Sequence, residues 1–174
     1  MQSKDRINDF VIKIATVNGT GSSSANTLLM KAIFRMGIPV IGKNYFPSNI
    51  QGLPTWYEIR VTEKGYLARS GSVGIMVAMN AQTYAEDLVE VSPNGLLIYD
   101  ATWPRAELES RPDVTVLPIP LSTMCNEAFS GARTRILLKN IAYVGVIAAL
   151  IDIDQDRVHQ LLTETFADKP KLID

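Results

Sequence analysis

The chain has 174 residues, of which 47% are hydrophobic, and its formal net charge at pH 7 is −1. This length and composition predict one globular domain with enough apolar residues for a full core. The near-neutral charge gives no electrostatic reason to expect nucleic acid or a membrane surface as a partner. A single cysteine, Cys125, cannot build a disulfide framework or a four-cysteine iron–sulfur or zinc site.

The first predicted strand, residues 10–17, leads directly into Asn18-Gly-Thr-Gly-Ser-Ser-Ser24 and then into a helix. Unpaired backbone N–H groups and the helix dipole favour an anion at a helix N-terminus. Gly19 and Gly21 allow positive φ and a close approach of phosphate or backbone. The candidate cofactor contacts in this turn are Gly19, Thr20, Gly21, Ser22 and Ser23. The alternative is a turn that only connects strand to helix, since a full dinucleotide fingerprint would have glycine at position 24.

The second strand argues against a nicotinamide cofactor. A helix from about Ser24 to Met36 precedes this strand, which is predicted at 38–41 and followed by Lys43 and Asn44. A NAD site needs an acid about 20 residues beyond the turn, at this strand end, to hold the ribose hydroxyls. Neither residue is a carboxylate. Lys43 and Asn44 remain candidate phosphate contacts, although a lone strand-end lysine is commonly a solvated surface charge.

The remaining segments alternate between strands and helices. Strands are predicted at 55–62, 74–79, 96–99 and 114–118, and helices at 83–89, 134–150 and 154–166. This order predicts an α/β fold, with an open, mostly parallel sheet and helices on both faces. The 55–62 segment interrupts the alternation and is expected to enter as an antiparallel hairpin. The apolar segment 141–151 is too short to span a bilayer and is predicted to be a buried helix.

Few residues here could carry a reaction. His159 lies on a late, charged helix without a partner and is predicted to be a plain surface residue. Cys125, at a helix start, is predicted to be a buried apolar group, because no cation nearby in sequence would activate its thiol. Asp100 ends a strand, where α/β sheets place ligand contacts, yet acids there also cap the next segment. We expect no catalytic residue and no metal ligand in this chain.

The loop after the second strand carries the most specific motif. Residues Tyr45-Phe-Pro-Ser-Asn-Ile-Gln-Gly-Leu-Pro-Thr-Trp-Tyr-Glu-Ile-Arg60 and Gly65-Tyr-Leu-Ala-Arg69 resemble the gamma-type domain of 2-oxoacid:ferredoxin (acceptor) oxidoreductases. The match is closest to the version fused at the N-terminus of the alpha subunit, as in a 2-oxoglutarate or related 2-oxoacid synthase. The Gly19-Thr-Gly21 turn, Leu97-Ile-Tyr-Asp100 and Lys139-Asn-Ile-Ala-Tyr-Val-Gly145 support the resemblance, which covers essentially the whole chain.

The resemblance implies a Rossmann-like fold within an enzyme that oxidatively decarboxylates a 2-oxoacid to its acyl-CoA and passes electrons to ferredoxin. Thiamine diphosphate and the iron–sulfur cluster would be held by partner domains and subunits. The implied partners are the remainder of the alpha subunit, the beta subunit and, through the complex, ferredoxin. We expect residues 1–174 to form a single gamma-type domain, not catalytic alone, that is part of a longer or split subunit. No secretory signal is recognisable, so a cytoplasmic location is expected.

Aromatic and apolar side chains in the proline- and glycine-rich loop are typical of interface anchors. We predict that this loop packs against the thiamine-binding parts of the complex and walls the coenzyme A entrance. The residues concerned are Tyr45, Phe46, Asn49, Gln51, Leu53 and Trp56. Free-standing gamma subunits tend to have Arg-Gly-Gly where this chain has Gln51-Gly52-Leu53, which suits the fused type. The alternatives are a loop that covers the domain's own core and, for the whole chain, a stand-alone nucleotide-binding dehydrogenase or a non-catalytic interaction module.

Overall fold

The computed structural model describes residues 8–46, 50–66, 68 and 71–167. The strands and helices alternate along much of the chain. In order they are β1 (Asp9–Val17), α1 (Ser22–Arg35), β2 (Val40–Tyr45), β3 (Pro54–Thr62), β4 (Val73–Ala78), α2 (Tyr84–Glu90), β5 (Val91–Asp100), a short 3₁₀ helix (Ala106–Ser110), β6 (Thr115–Ile119), α3 (Leu121–Ala128), α4 (Ala132–Leu150) and α5 (Gln155–Thr165).

The strands form one six-stranded sheet in the order β2-β3-β1-β4-β5-β6. The pairs β1–β4, β4–β5 and β5–β6 are parallel, whereas β3 runs antiparallel to both of its neighbours. The predicted open, mostly parallel α/β sheet is therefore confirmed, and the antiparallel entry of the 55–62 segment is observed. Strand β1 is central and buried from Val11 to Thr16, as a near-continuous apolar run requires.

Helices cover both faces of the sheet because alternate residues of each strand point to opposite sides. Ile12 and Ile14 pack in a core shared with α1, α4 and α5. Val11 packs on the other face, in a core shared with α2 and the 3₁₀ helix. The segment 141–151 lies mainly in α4 against the sheet, and no helix within the described ranges is long and apolar enough to cross a membrane.

Two element boundaries differ from the sequence prediction in ways that matter for the site. Helix α1 begins at Ser22, because Gly21 takes a left-handed conformation at the N-cap and the chain turns there. Strand β2 continues to Tyr45, because its pairing with β3 extends through Lys43 and Asn44. These polar residues were expected to follow the strand and instead form part of it.

A buried hydrogen bond joins α4 to α1. The Tyr143 hydroxyl donates to Asn26 Oδ1 at 2.7 Å, and the Tyr143 side chain is fully buried. Burial raises the pKa of Tyr143, so the phenol stays neutral and remains a donor. This pair fixes the first turns of α1 against the longest helix described.

Tyr143→Phe is expected to lower the free energy of unfolding by about 1–3 kcal/mol, because packing is kept while a buried acceptor loses its donor. Urea denaturation measures the change. The control is Tyr66→Phe, since Tyr66 is 62% exposed, and its effect is expected to stay within about 0.5 kcal/mol. Equal stability of the two variants would show that the α1–α4 hydrogen bond contributes nothing.

Candidate functional site

A cleft of about 240 Å³ opens at the carboxyl end of β1. The glycine turn, the start of α1 and the adjoining ends of β2 and β3 form its walls. The turn and α1 contribute Gly19, Gly21, Ser22, Ser23 and Asn26, and the opposite wall contains Asn44, Phe46, Thr55, Trp56 and Tyr57. None of the described residues that line this cleft carries a charge. The cleft therefore offers amide and hydroxyl groups, aromatic rings and a helix N-terminus.

The glycine turn is held by its own hydrogen bonds. Gly19 and Gly21 have φ of 87° and 81°, in the region that favours glycine. The Thr20 hydroxyl donates to the Val17 carbonyl at 2.8 Å, and Asn140 Nδ2 donates to the Thr20 carbonyl at 2.9 Å. The Thr20 side chain thus stabilises the turn, while Gly19, Gly21, Ser22 and Ser23 line the cleft.

The N-terminus of α1 faces this cleft without a side-chain cap. The N-cap residue is Gly21, and the first turn of this fully described helix contains no acidic residue. Ser22 is buried, and its hydroxyl oxygen accepts from Thr16 Oγ1 at 2.9 Å, so Ser22 is tied to β1. The remaining first-turn N–H groups and the positive end of the helix dipole are compatible with an anion or a carbonyl oxygen.

Lys43 and Asn44 lie on opposite faces of the sheet, as successive strand residues must. Asn44 lines the cleft together with the glycine turn. Lys43 aligns with Glu58 on the other face, and its ammonium lies 5.2 Å from the centre of the Tyr45 ring. Of these two candidate phosphate contacts, only Asn44 therefore lies in the cleft beside the glycine turn, whereas Lys43 lies on the opposite face of the sheet.

The loop segment 50–53 folds back onto the glycine turn. Asn18 N donates to the Leu53 carbonyl at 2.9 Å, and Gly52 N donates to the Asn18 carbonyl at 3.0 Å. A β-carbon built on Gly19 would lie 2.5 Å from Gln51 Cγ, so the Gln51 side chain packs directly over this glycine and would have to move for any larger residue. The turn and the loop, which sequence analysis treated as separate motifs, form one unit.

The apolar side chains of the predicted interface loop remain largely outside the core. Phe46 is 48% exposed and Leu53 37% exposed, and Ile50 is also exposed. Tyr45 and Trp56 are half-buried, and Gln51 is exposed. Asn49 lies outside the described residues. Phe46, Ile50 and Leu53 are therefore exposed on the surface of the described domain, and Phe46 also lines the cleft.

Asp100 accepts hydrogen bonds at the start of α3. Its carboxylate accepts from Ser122 N at 3.1 Å and from Thr102 Oγ1 at 2.7 Å, and it also contacts the Ser122 hydroxyl and Lys139. Burial alone would raise the pKa of Asp100, but these hydrogen bonds and the lysine outweigh it and lower the pKa. Of the two roles considered, the geometry matches capping.

The other reactive residue types lie where the sequence placed them. Cys125 is buried, and burial raises the pKa of its thiol, so it is a poor nucleophile. His159 is exposed on α5. Asp87, which was not among the residues singled out from the sequence, is a buried carboxyl group on α2 that accepts from Trp56 Nε1 at 2.9 Å. An acid between Tyr84 and Leu88, on the apolar side of a short helix, was the available signal.

The mostly parallel sheet and the glycine turn after β1 define a Rossmann-like domain with its cleft at the carboxyl edge of the sheet. The chain belongs to the pyruvate ferredoxin/flavodoxin oxidoreductase family, whose family model matches residues 11–174. Over 92 residues it is 28% identical to the alpha subunit of 2-oxoacid:ferredoxin oxidoreductase 2 from Aeropyrum pernix. That match covers 53% of this chain but only 14% of the relative.

Three solved structures share the fold. The chain matches 2-oxoglutarate:ferredoxin oxidoreductase from Magnetococcus marinus with a TM-score of 0.81 and 24% identity, over 93% of this chain and 28% of that one. Pyruvate oxidoreductase subunit PORC from Thermotoga maritima matches with a TM-score of 0.73 and 13% identity, over 96% and 90% of the respective chains. The gamma subunit of a keto/oxoacid ferredoxin oxidoreductase from Geobacter sulfurreducens matches with 0.68 and 12%, over 91% and 90%. These structures show the shared fold, and the match to the family model confirms the family resemblance seen in the sequence.

Gly19→Ala is expected to strain the backbone and to displace segment 50–53, because the new methyl group would meet Gln51. Gly37→Ala is the matched control, since Gly37 has φ of 80° and open space around it. A left-handed alanine costs about 1–2 kcal/mol at either site. Amide hydrogen exchange at Asn18 and Gly52 is expected to accelerate only in Gly19→Ala. Unchanged exchange there would mean that the loop does not depend on the turn.

Proposed function

We propose that this chain is the gamma-type domain of a 2-oxoacid:ferredoxin oxidoreductase, which converts a 2-oxoacid and coenzyme A into acyl-CoA and carbon dioxide and passes two electrons to ferredoxin. Support comes from family membership over residues 11–174. Further support comes from the shared fold of the M. marinus enzyme, whose structure holds 2-oxoglutarate, coenzyme A and succinyl-CoA. Since the chain spans 28% of that protein, other domains or subunits would supply the remaining machinery.

The main structural support for the proposal is that the exposed apolar loop packs against the glycine turn and hydrogen-bonds to it. The turn offers Ser23 and the N-terminus of α1 to a ligand, and Asn44 faces them across the cleft. The same loop that covers Gly19 presents Phe46 and Leu53 outward. A ligand in the cleft would therefore lie beside a docked partner, which suits a domain that walls the coenzyme A region at a subunit interface.

The chemistry itself is assigned to partners. The chain has one cysteine, and Cys125 is buried, so the proposal assigns any four-cysteine iron–sulfur cluster to other polypeptide of the complex. Thiamine diphosphate is likewise assigned to the remainder of the alpha subunit or to the beta subunit. The stand-alone dehydrogenase is disfavoured because the described cleft lining contains no acid for ribose hydroxyls. The third alternative, a non-catalytic interaction module, is disfavoured because it would give the cleft no role.

The test is affinity purification of the tagged chain from its native host, followed by assays with pyruvate, 2-oxoglutarate and branched-chain 2-oxoacids. The complex is expected to contain thiamine diphosphate and to form acyl-CoA with coenzyme A and ferredoxin. The isolated chain is expected to be inactive with added thiamine diphosphate. Acyl-CoA formation by the chain alone, or micromolar binding of NAD to it, would contradict the proposal.

Replacing Phe46 and Leu53 together by serine is expected to weaken assembly about tenfold or more, because buried interface anchors each contribute at the level of hot spots. The control is the double variant Phe34→Ser and Leu150→Ser. Phe34 on α1 is 66% exposed and Leu150 on α4 is 44% exposed, so the control also replaces two exposed apolar side chains, away from the loop. Pull-down titration measures assembly, and thermal unfolding tests the isolated fold. A sharp loss of melting temperature with normal assembly in the loop variant would place these side chains in the core and the interface elsewhere.

A further inference from the structure

Helix α4 contains the motif 139–145, which the sequence singled out and to which the proposed function gives no role. Three residues spaced three positions apart, and therefore on one face of α4, contact the glycine turn and the start of α1: Leu137, Asn140 and Tyr143. A β-carbon built on Gly21 would lie 3.1 Å from Leu137 Cδ1, so these two residues pack together. The Asn140 amide donates to the Thr20 carbonyl at 2.9 Å, and the Tyr143 hydroxyl donates to Asn26 at 2.7 Å. Helix α4 contributes no residue to the described cleft lining, so it braces the turn from outside the cleft.

The hydrogen bond from Asn140 fixes one peptide plane of the turn. Asn140 is 3% exposed, and its Nδ2 must face the Thr20 carbonyl, because a carbonyl oxygen only accepts. The Thr20 carbonyl and the Gly21 N–H belong to the same planar, trans peptide group and point in opposite directions. Since the carbonyl is held toward α4, the Gly21 N–H points away from α4. Gly21 lines the cleft, and no described residue accepts from its N–H.

The neighbouring Ser22 hydroxyl provides a second donor beside this N–H. Ser22 is 5% exposed and lines the cleft. Its oxygen accepts from Thr16 Oγ1 at 2.9 Å, and nothing in the described part of the chain accepts its own proton. A buried hydroxyl with an unused proton is costly unless a further acceptor is present at times. The Gly21 N–H and the Ser22 hydroxyl therefore form a pair of donors suited to an oxygen atom of a ligand.

The backbone itself does not fix the orientation of this peptide. Reversing the peptide between Thr20 and Gly21 changes mainly ψ of Thr20 and φ of Gly21, and Gly21 now has φ of 81°. Glycine adopts positive and negative φ about equally well. The reversed peptide would direct the Thr20 carbonyl, an acceptor, to the side where the N–H now lies. A side-chain donor is therefore needed to select one orientation.

We infer that Asn140 is a positioning residue for the cleft. By holding the Thr20 carbonyl on the α4 side, it keeps the Gly21 N–H beside the Ser22 hydroxyl and available to an acceptor oxygen of the ligand. The identity of that ligand as coenzyme A rests on the proposed function, whereas the orientation of the peptide does not.

The first test is an NMR comparison of the 15N- and 13C-labelled chain with two variants of similar side-chain shape. Asn140→Leu has no donor, and Asn140→Asp replaces the donor by an acceptor at neutral pH. We expect the introduced carboxylate to reverse the peptide and to accept from the Gly21 N–H, slowing amide exchange there about tenfold or more relative to the parent. Asn140→Leu is expected to shift the Thr20 carbonyl resonance without slowing exchange at Gly21.

Gly21 exchange that is the same in the parent and in Asn140→Asp would overturn the inference. If Asn140→Asp does not fold, Asn140→Leu decides the matter. An unchanged Thr20 carbonyl resonance in that variant would show that Asn140 does not orient the peptide.

The consequence for ligand binding is measured in the assembled complex. Asn140→Leu is expected to raise the KM for coenzyme A about fivefold with kcat retained, because one donor loses its fixed orientation. Asn140→Asp is expected to raise it about twentyfold or more, because an acceptor then replaces that donor. A merely structural role would give the two variants equal KM values, since both lack the same amide, and that result would contradict the positioning role.

The control is Arg111→Met, which removes hydrogen bonds far from the cleft. The Arg111 guanidinium donates to the Leu88 and Val91 carbonyls at 3.0 Å and 2.7 Å, at the amino end of β5. This variant is expected to lower the melting temperature and to leave the KM for coenzyme A unchanged. If the Gly21 amide responds to Asn140 while the KM for coenzyme A does not, the orientation of the peptide stands and coenzyme A is not the ligand of this cleft.

Discussion

The antiparallel pairing of β3 with β1 is the constraint on which the rest of the site depends. The pairing runs the full length of both strands, from Asp9 opposite Thr62 to Val17 opposite Pro54. It therefore delivers the start of β3 to the carboxyl end of β1, where the glycine turn begins. Segment 50–53 must then pass over that turn, and Gly19 leaves the space that Gln51 occupies. A parallel strand in this position would have brought its carboxyl end there instead.

The same pairing places different kinds of side chain on the two faces of the sheet. Tyr57 points toward α1 and lines the cleft, while Glu58 on the other face stands beside Lys13. The Trp56 indole lies on the face that carries Lys13, and its N–H donates to Asp87 Oδ1 at 2.9 Å. The sheet thus separates the uncharged groups that line the cleft from the ionisable groups on its other face.

The sequence predicted the architecture well and the site in part. The apolar run of β1 and the alternating elements were sufficient for the sheet, because burial on both faces leaves a strong pattern. The glycine turn was recognised through its residue types, and Ser23 and Asn44 do face one cleft. Lys43 was grouped with Asn44 because strand β2 was predicted to end too early. Once the strand continues, the period of two sends Lys43 to the other face.

The contacts that no local pattern could show are those between distant segments. Asn18 and Leu53 are joined by backbone atoms, which carry no sequence signal. Asp87 and Trp56 lie 31 positions apart, and their hydrogen bond exists only because α2 covers the end of the sheet next to β1. Such pairs depend on tertiary packing rather than on propensity or spacing. They also form the parts of the site that give it shape.

A cryo-electron microscopy map of the assembled complex with coenzyme A bound would locate the ligand relative to the cleft and the exposed loop. We expect ligand density in the cleft between the start of α1 and Asn44, with the loop bearing Phe46 and Leu53 against a partner surface. Coenzyme A bound far from this domain, with the cleft and the loop both facing solvent, would contradict it.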